Sequence, residues 1–283
     1  MKKKRLFLIV LTFVILVLAF LIGSPFFKLQ SVELKFVNDK NEVVLLKDNF
    51  IFNTQQKVTN VISSGKFDYG SSLFLIDKQS YFIRLDKNNP YLKLVNITSV
   101  FPNKMVVYAK ERKPIFYITN NIEFFLIDND FKILEITTEK SKTNGLILLM
   151  AKENNKNLTF FEFFNVSPLA FESSQYLYEN NIIIDKIKKI VAIIKDFNSF
   201  NTLNNIFESF VISESENFPN LTLQTKKEEF GIKLIVENVL ENFDKKLNKL
   251  LSAFKTLINK EKIKTTYGVL SINNSLNCYW NNL

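Results

Sequence analysis

The sequence predicts an α+β protein behind a single N-terminal transmembrane helix. A small strand-helix-helix-strand-strand module comes first, then a mostly antiparallel β region with amphipathic helices. Three observations predict this: an apolar stretch behind a basic start, alternation between period-2 and helical apolar spacing up to about Ile118, and short strand-like runs interrupted by amphipathic stretches after it.

Composition narrows the function classes. The 283 residues are 47% hydrophobic with only 6 Gly and 6 Pro, which suits a folded chain of one large or two ordinary domains. There is no His and one Cys, which excludes His-dependent triads, His-ligated zinc, CxxC redox pairs and an intramolecular disulfide framework. No cofactor is expected. The net charge of +9 owes four positive charges to Lys2, Lys3, Lys4 and Arg5, and no basic run follows, so no nucleic-acid partner is expected.

From Leu6 to Ile22 only Thr12 is polar, enough for a helix to span hydrocarbon, and Phe26 and Phe27 extend the apolar character past Gly23-Ser24-Pro25. The basic residues before it place the N-terminus in the cytoplasm and everything after Lys28 outside. Pro25 and the missing A-x-A pattern argue against a cleaved signal peptide. The lipid bilayer is therefore an expected partner, with residues 1–5 as a cytoplasmic tail and 6–27 as the anchor.

Val32 to Phe36 alternates as a strand. Val58, Val61 and Ile62 fall at helical spacing, with Thr54 as N-cap and Gly65 at the end. Asp77 caps a second helix carrying Tyr81, Phe82 and Leu85, stopped by Asn88-Asn89-Pro90. Tyr91 to Val100 and Met105 to Ile118 read as strands joined by a hairpin turn at Phe101-Pro102-Asn103-Lys104. Ile122 to Ile127 and Phe131 to Ile136 form a meander around Asp128-Asn129-Asp130. Ile183 to Phe197 reads as an amphipathic helix with Lys186, Lys188, Lys189 and Lys195 as a solvated face. Leu221 to Gln224 and Phe230 to Val236 are strands, and Phe243 to Ile258 is a second amphipathic helix with Asn242 as a possible cap. Thr265 to Ile272, a turn at Asn273-Asn274, and Leu276 to Trp280 close the chain.

Several of these segments carry a resemblance. Gly70, Leu73-Phe74 and Asp77, then Asn89-Pro90, Phe101-Pro102-Asn103, Glu111-Arg112-Lys113-Pro114 and Ile127-Asp128 stand in order behind the anchor. Together they resemble the bacterial FtsQ/DivIB family. The resemblance covers most of the chain and is looser from about Gly145 to Phe230. It implies a POTRA domain over 28–114 and a β domain over 115–283. It also implies no enzymatic activity, and a scaffold that joins FtsB-like and FtsL-like partners outside the membrane, at the division septum, to control the septal synthases FtsW and FtsI. In the family the partner adds a strand to the last strand of the β domain, the mode called β-augmentation.

Tyr267 to Trp280 is similar to the family's closing pattern in its length from Tyr to Trp. The resemblance nominates Tyr267, Ser271, Ile272, Asn274, Ser275 and Trp280 as partner-binding residues. The match departs at Ser271, where Arg is common, at Ile272, where an aromatic is common, and at Asn274-Ser275, where a Ser-Gly turn is seen. The family's Asp-Leu-Arg motif is missing. Beside this stands a plainer reading, in which Tyr267, Ile272 and Trp280 pack the sheet and Asn274 forms the turn.

Two other functions are weighed. A POTRA protein of secretion or envelope assembly would need a separate barrel partner. An enzyme acting on wall material needs a placed carboxylate pair or a Ser/Lys pair. Asp77, Asp128 and Asp130 are explained by cap and turn duties, Glu111 and Arg112 point to opposite strand faces as a solvated pair, and Cys278 reads as a small core residue.

Overall fold

The computed structural model describes residues 2–38, 40–45, 51–153, 156–158, 185–189, 206–215, 218–226, 231–259 and 267–282. They fall into two units, Met1–Arg112 and Lys113–Leu283.

The first unit begins with helix α1, Lys2–Gly23. Every side chain from Phe7 to Phe20 is exposed. The Thr12 hydroxyl donates to the Leu8 carbonyl at 2.9 Å, so the polar group in this apolar stretch is satisfied within the helix. Among the described residues no helix is long and apolar enough to cross a membrane. A 3-10 turn, Pro25–Phe27, follows, capped by Ser24.

Strand β1 (Ser31–Phe36), helices α2 (Gln55–Ser64) and α3 (Lys78–Asn88), and strands β2 (Leu92–Val100) and β3 (Lys104–Glu111) complete this unit. The sheet order is β1-β3-β2, parallel between β1 and β3 and antiparallel between β2 and β3. Both helix starts follow from one side chain each. Thr54 Oγ1 accepts from the Lys57 N–H, and the Asp77 carboxylate accepts from the N–H groups of Gln79 and Ser80 and from the Ser80 hydroxyl. Val61, Tyr81 and Leu85 then pack with Phe36, Leu92, Leu94, Met105 and Val107 as the core. The β2–β3 hairpin closes through Phe101, Pro102 and Asn103, with the Phe101-Pro102 peptide cis.

Two expectations are corrected here. The run from Met105 to Ile118 is not one strand: β3 stops at Glu111, and Phe116–Thr119 forms β4 in the second unit. Pro114 between them has no N–H to continue a ladder. Glu111 and Arg112 are not a solvated pair either. Arg112 donates its N–H to the Tyr91 carbonyl at 2.8 Å and so prolongs the ladder. Strand alternation then turns its side chain inward, where it is 6% exposed, while Glu111 accepts from the Ile51 N–H.

The second unit continues with β5 (Phe124–Ile127), β6 (Ile133–Thr137), β7 (Ile147–Glu153), β8 (Lys156–Leu158), β9 (Phe207–Ser215), β10 (Phe218–Thr225), β11 (Ile232–Val236), helix α4 (Phe243–Asn259), β12 (Gly268–Ile272) and β13 (Cys278–Asn282). They form a ten-stranded sheet in the order β13-β12-β11-β10-β9-β7-β4-β5-β6, with β8 on β7. Most pairs are antiparallel, while β4–β7, β7–β9 and β11–β12 are parallel. A parallel pair needs a crossover, and α4 lies in the one from β11 to β12. Its Leu247, Leu250, Leu251 and Phe254 are fully buried in one core with Leu223, Leu234, Leu270 and Ile272. Asp128 holds the β5–β6 turn, its Oδ1 accepting from the N–H groups of Asp130 and Lys132.

Of the helix expected over Ile183 to Phe197, residues 185–189 are helical and the others lie outside the described residues. Its lysines are not a simple solvated face. Lys186 and Lys188 are half-buried over the rings of Phe243 and Phe131, at 5.4 and 5.9 Å, because an ammonium is attracted to an aromatic face. Lys189 is exposed and pairs with Asp244 at 3.2 Å. Asn242 takes a left-handed φ of 48°, and its carbonyl receives the Lys246 N–H, the contact that opens α4.

Candidate partner-binding edge

Strands β12 and β13 form a hairpin at one end of the large sheet. Its register runs from Gly268↔Asn282 to Ile272↔Cys278. Gly268, Leu270 and Ile272 point to the α4 side and are buried. Leu276, Cys278 and Trp280 pack partly buried against the same core. The opposite face carries Val269, Ser271, Tyr279 and Asn281, with Tyr279 47% exposed.

Two glycines make room for aromatic rings here. The ring of Trp280 fills the space where a Cβ on Gly268 would stand, and the ring of Tyr267 does the same over Gly231, whose φ is +61°. An aromatic laid over a strand glycine restores the contacts the missing side chain gives up. The hairpin tip is closed by Asn273, whose Oδ1 accepts from the Asn277 N–H at 3.0 Å and whose amide donates to the Tyr279 hydroxyl at 3.2 Å. Leu276 takes a left-handed φ of 61° to complete the turn.

The tip is also fastened from below. Lys246 of α4 is fully buried, and its ammonium donates to the carbonyls of Glu237 at 2.7 Å and Asn238 at 2.9 Å and to Asn274 Oδ1 at 2.6 Å. Burial pulls its pKa below the ordinary lysine value, opposed by the nearby carboxylates of Glu241 and Glu237. Three acceptors for three protons make a buried ammonium tolerable. Burial likewise raises the Cys278 thiol pKa, against the charge of Lys249, which keeps it protonated at neutral pH.

The residues nominated from the sequence gather here but are not alike. Ile272 is in the core, and its strand is hydrogen-bonded on both sides, by β11 and β13. Ser271 lies half-buried beside Tyr279, Asn274 and Ser275 form the exposed tip, Trp280 is half-buried on β13, and Tyr267 is 56% exposed. The strand at the end of the sheet order is β13. Sequence reasoning missed Tyr279, Asn281 and Lys246. Alternation from Trp280 puts the first two on the outer face, and Lys246 stands three residues after Phe243 and four before Leu250, on the apolar stripe. Among the described residues no three His, Cys, Asp or Glu side chains form a metal site.

No family model matches the chain. Curated relatives do. The chain is 26% identical over 79% of its length to Cell division protein DivIB of Clostridium tetani, covering 71% of that protein. It is 28% identical over 69% of its length to the protein of the same name in Clostridium botulinum strain Hall, covering 63% of it, and 30% over 55% in strain Loch Maree, also covering 55%. The matches thus span from 55% to 71% of these relatives. These similarities to proteins named Cell division protein DivIB agree with the resemblance to the FtsQ/DivIB family carried by the sequence motifs.

Proposed function

We propose that the chain is a non-enzymatic, membrane-anchored division protein that recruits FtsB-like and FtsL-like segments outside the membrane and so regulates septal wall synthesis by FtsW and FtsI. The names of its relatives support the division role. In this reading α1 is the anchor: the part whose side chains are described begins at Phe7 and is too short to cross, but the whole helix from Lys2 to Gly23, 22 residues, reaches about 33 Å at 1.5 Å per residue, against a hydrocarbon core of roughly 30 Å. The side chains from Phe7 to Phe20 face outward on all sides, as suits lipid. The basic residues at its start set the N-terminus inside. The first unit is the POTRA domain and the second the β domain.

The observation that carries the binding mode is the terminal position of β13 in the ten-stranded sheet. An edge strand offers backbone donors and acceptors to an incoming strand. Tyr279 and Asn281 on one side and Trp280 on the other supply flanking side chains for specificity.

Neighbouring N–H groups on a strand point in opposite directions, so of Tyr279 and Trp280 one faces β12 and the other faces away. Proline at the outward position leaves the bonds to β12 in place and removes a donor an added strand needs, together with the side chain it replaces, so an alanine at the same position is the control. Of Tyr279→Pro and Trp280→Pro, one is expected to retain the fold by circular dichroism and to lose binding of FtsB-like segments. Full binding by that folded variant would refute the augmentation mode, and normal division after clean depletion of the protein would refute the division role.

A further inference from the structure

The first unit displays an apolar patch that its own core does not use. Phe26, Phe74, Leu75 and Phe101 are 60%, 44%, 67% and 55% exposed. Their neighbours Leu29 and Leu73 are buried, so the core is filled without them. Ring centres lie 5.2 Å apart for Phe26 and Phe27, 5.4 Å for Phe27 and Phe74, and 5.2 Å for Phe74 and Phe101. Aromatic residues from three separate segments are thus gathered on one surface.

Backbone bonds fix that gathering. The Leu73 N–H donates to the Phe27 carbonyl at 2.9 Å, the Leu29 N–H to Ser71 at 2.8 Å, and the Gln30 N–H to Asn103 at 2.8 Å. The segment after α1, the α2–α3 loop and the β2–β3 turn are therefore laced together beneath the rings.

The patch starts where α1 stops. The Ser24 N–H still donates to the Phe20 carbonyl at 2.9 Å, and Phe26 and Phe27 lie in the 3-10 turn that follows directly. A chain that leaves hydrocarbon at Gly23 delivers these rings to the boundary of acyl chains and headgroups, where an apolar face inserts by roughly 5–10 Å. Exposed apolar patches of this kind mark interaction surfaces, and continuity with α1 selects lipid. Lys28 follows Phe27, Lys78 follows the Phe74–Asp77 segment, and Lys104, paired with Glu33, follows Asn103. Asp77 beside Lys78 and Glu33 on Lys104 offset part of this charge, so the rings and their continuity with α1, rather than the lysines, select lipid.

We infer that Phe26, Phe74, Leu75 and Phe101 form a second membrane contact, which seats the first unit on the bilayer at the point where α1 emerges. The inference rests on the reading of α1 as an anchor. It gives the patch a mechanical role: two contacts, one threaded and one lying on the surface, fix the tilt of the first unit, which a single helix leaves free.

The test uses the full chain in vesicles of phosphatidylcholine and phosphatidylglycerol in equal parts, with bromine placed high or low on the acyl chains. Tryptophan is introduced singly as Leu75→Trp, Phe101→Trp or Leu16→Trp, and the emission of the parent protein, which holds Trp280, is subtracted. Both patch variants are expected to shift to the blue and to lose most emission with shallow bromine, and Leu16→Trp with deep bromine. Quenching of Leu16→Trp alone, with both patch variants folded and unquenched, would overturn the membrane seat while leaving the anchor, and would make the patch a face for another protein. An unquenched Leu16→Trp would overturn the anchor reading itself, and the seat with it. Leu75 is exposed, so its replacement leaves the core untouched and gives an answer even where Phe101→Trp folds poorly.

Discussion

In the first unit, α2 and α3 are each started by a side chain within three residues of the N–H groups it accepts from, Thr54 and Asp77. In the second, Lys246 reaches acceptors eight, nine and twenty-eight residues away and ties α4 to both the end of β11 and the tip of the β12–β13 hairpin. The first arrangement satisfies helix ends that would otherwise meet water; the second satisfies a fully buried ammonium that water does not reach. Loss of a local cap returns its partners to solvent, whereas loss of the buried ammonium takes the strongest donor from the Glu237 carbonyl and leaves the Asn238 carbonyl only the longer bond from the Glu241 N–H at 3.3 Å. The difference teaches that the candidate edge is only as well positioned as a polar contact made far away in sequence.

The sharpest way to break this contrast is Lys246→Met, which keeps the bulk and removes the donors. It is expected to destabilise by about 2 kcal/mol, since one buried and two partly buried acceptors lose the ammonium at once, and denaturant titration of the detergent-solubilised chain reads it. Protein as stable as wild type would show that the clamp contributes nothing. The Tyr279 amide is then expected to exchange faster with solvent than in wild type, because the tip is no longer held.

Gly268→Val places a side chain where the Trp280 ring lies. A loss of about 2 kcal/mol is expected from the overpacking, together with a red-shifted Trp280 emission as the ring moves out. Unchanged emission would mean that the ring does not depend on the glycine.

Thr54→Ala removes a helix cap in the first unit and is expected to lower stability by about 1 kcal/mol. A loss as large as that of Lys246→Met would erase the distinction between local and distant fastening.

The smallest effect is pH-dependent. The Ser80 hydroxyl and N–H bonds to Asp77 hold its carboxyl below the ordinary aspartate pKa. The unfolded chain therefore takes up this proton first on acidification, so the stabilisation is complete above the ordinary aspartate value and is lost as pH falls through the depressed one. Asp77→Asn keeps a cap but cannot titrate. Wild type is expected to lose ground against it as pH drops through that window, and parallel acid curves would contradict the assignment.

Much of this fold is legible in the amino-acid sequence. Thr54 and Asp77 announce helix starts because a short polar side chain at that place meets free N–H groups. The stripe from Phe243 to Leu257 announces α4 because helical periodicity puts those side chains on one face. The closing hairpin is legible from two apolar runs around Asn273-Asn274. The candidate site is legible only in outline. The position of Lys246 on the apolar stripe of α4 marks it as buried, but nothing nearby in sequence shows that two carbonyls and Asn274 converge on it. Arg112 reads as exposed because its burial depends on Tyr91 accepting its N–H.

The sequence by itself determined α2, α3 and α4, the caps of Thr54 and Asp77, the closing hairpin and the apolar start, because each depends on residues within one or two turns of the chain. Only the tertiary structure decided that β12 lies inside the sheet and β13 at its end, that β11 and β12 run parallel around α4, and that the rings after α1 gather with Phe74 and Phe101. Strand order and the fate of a buried charge are set by contacts between distant segments, whose free energies the local pattern does not contain.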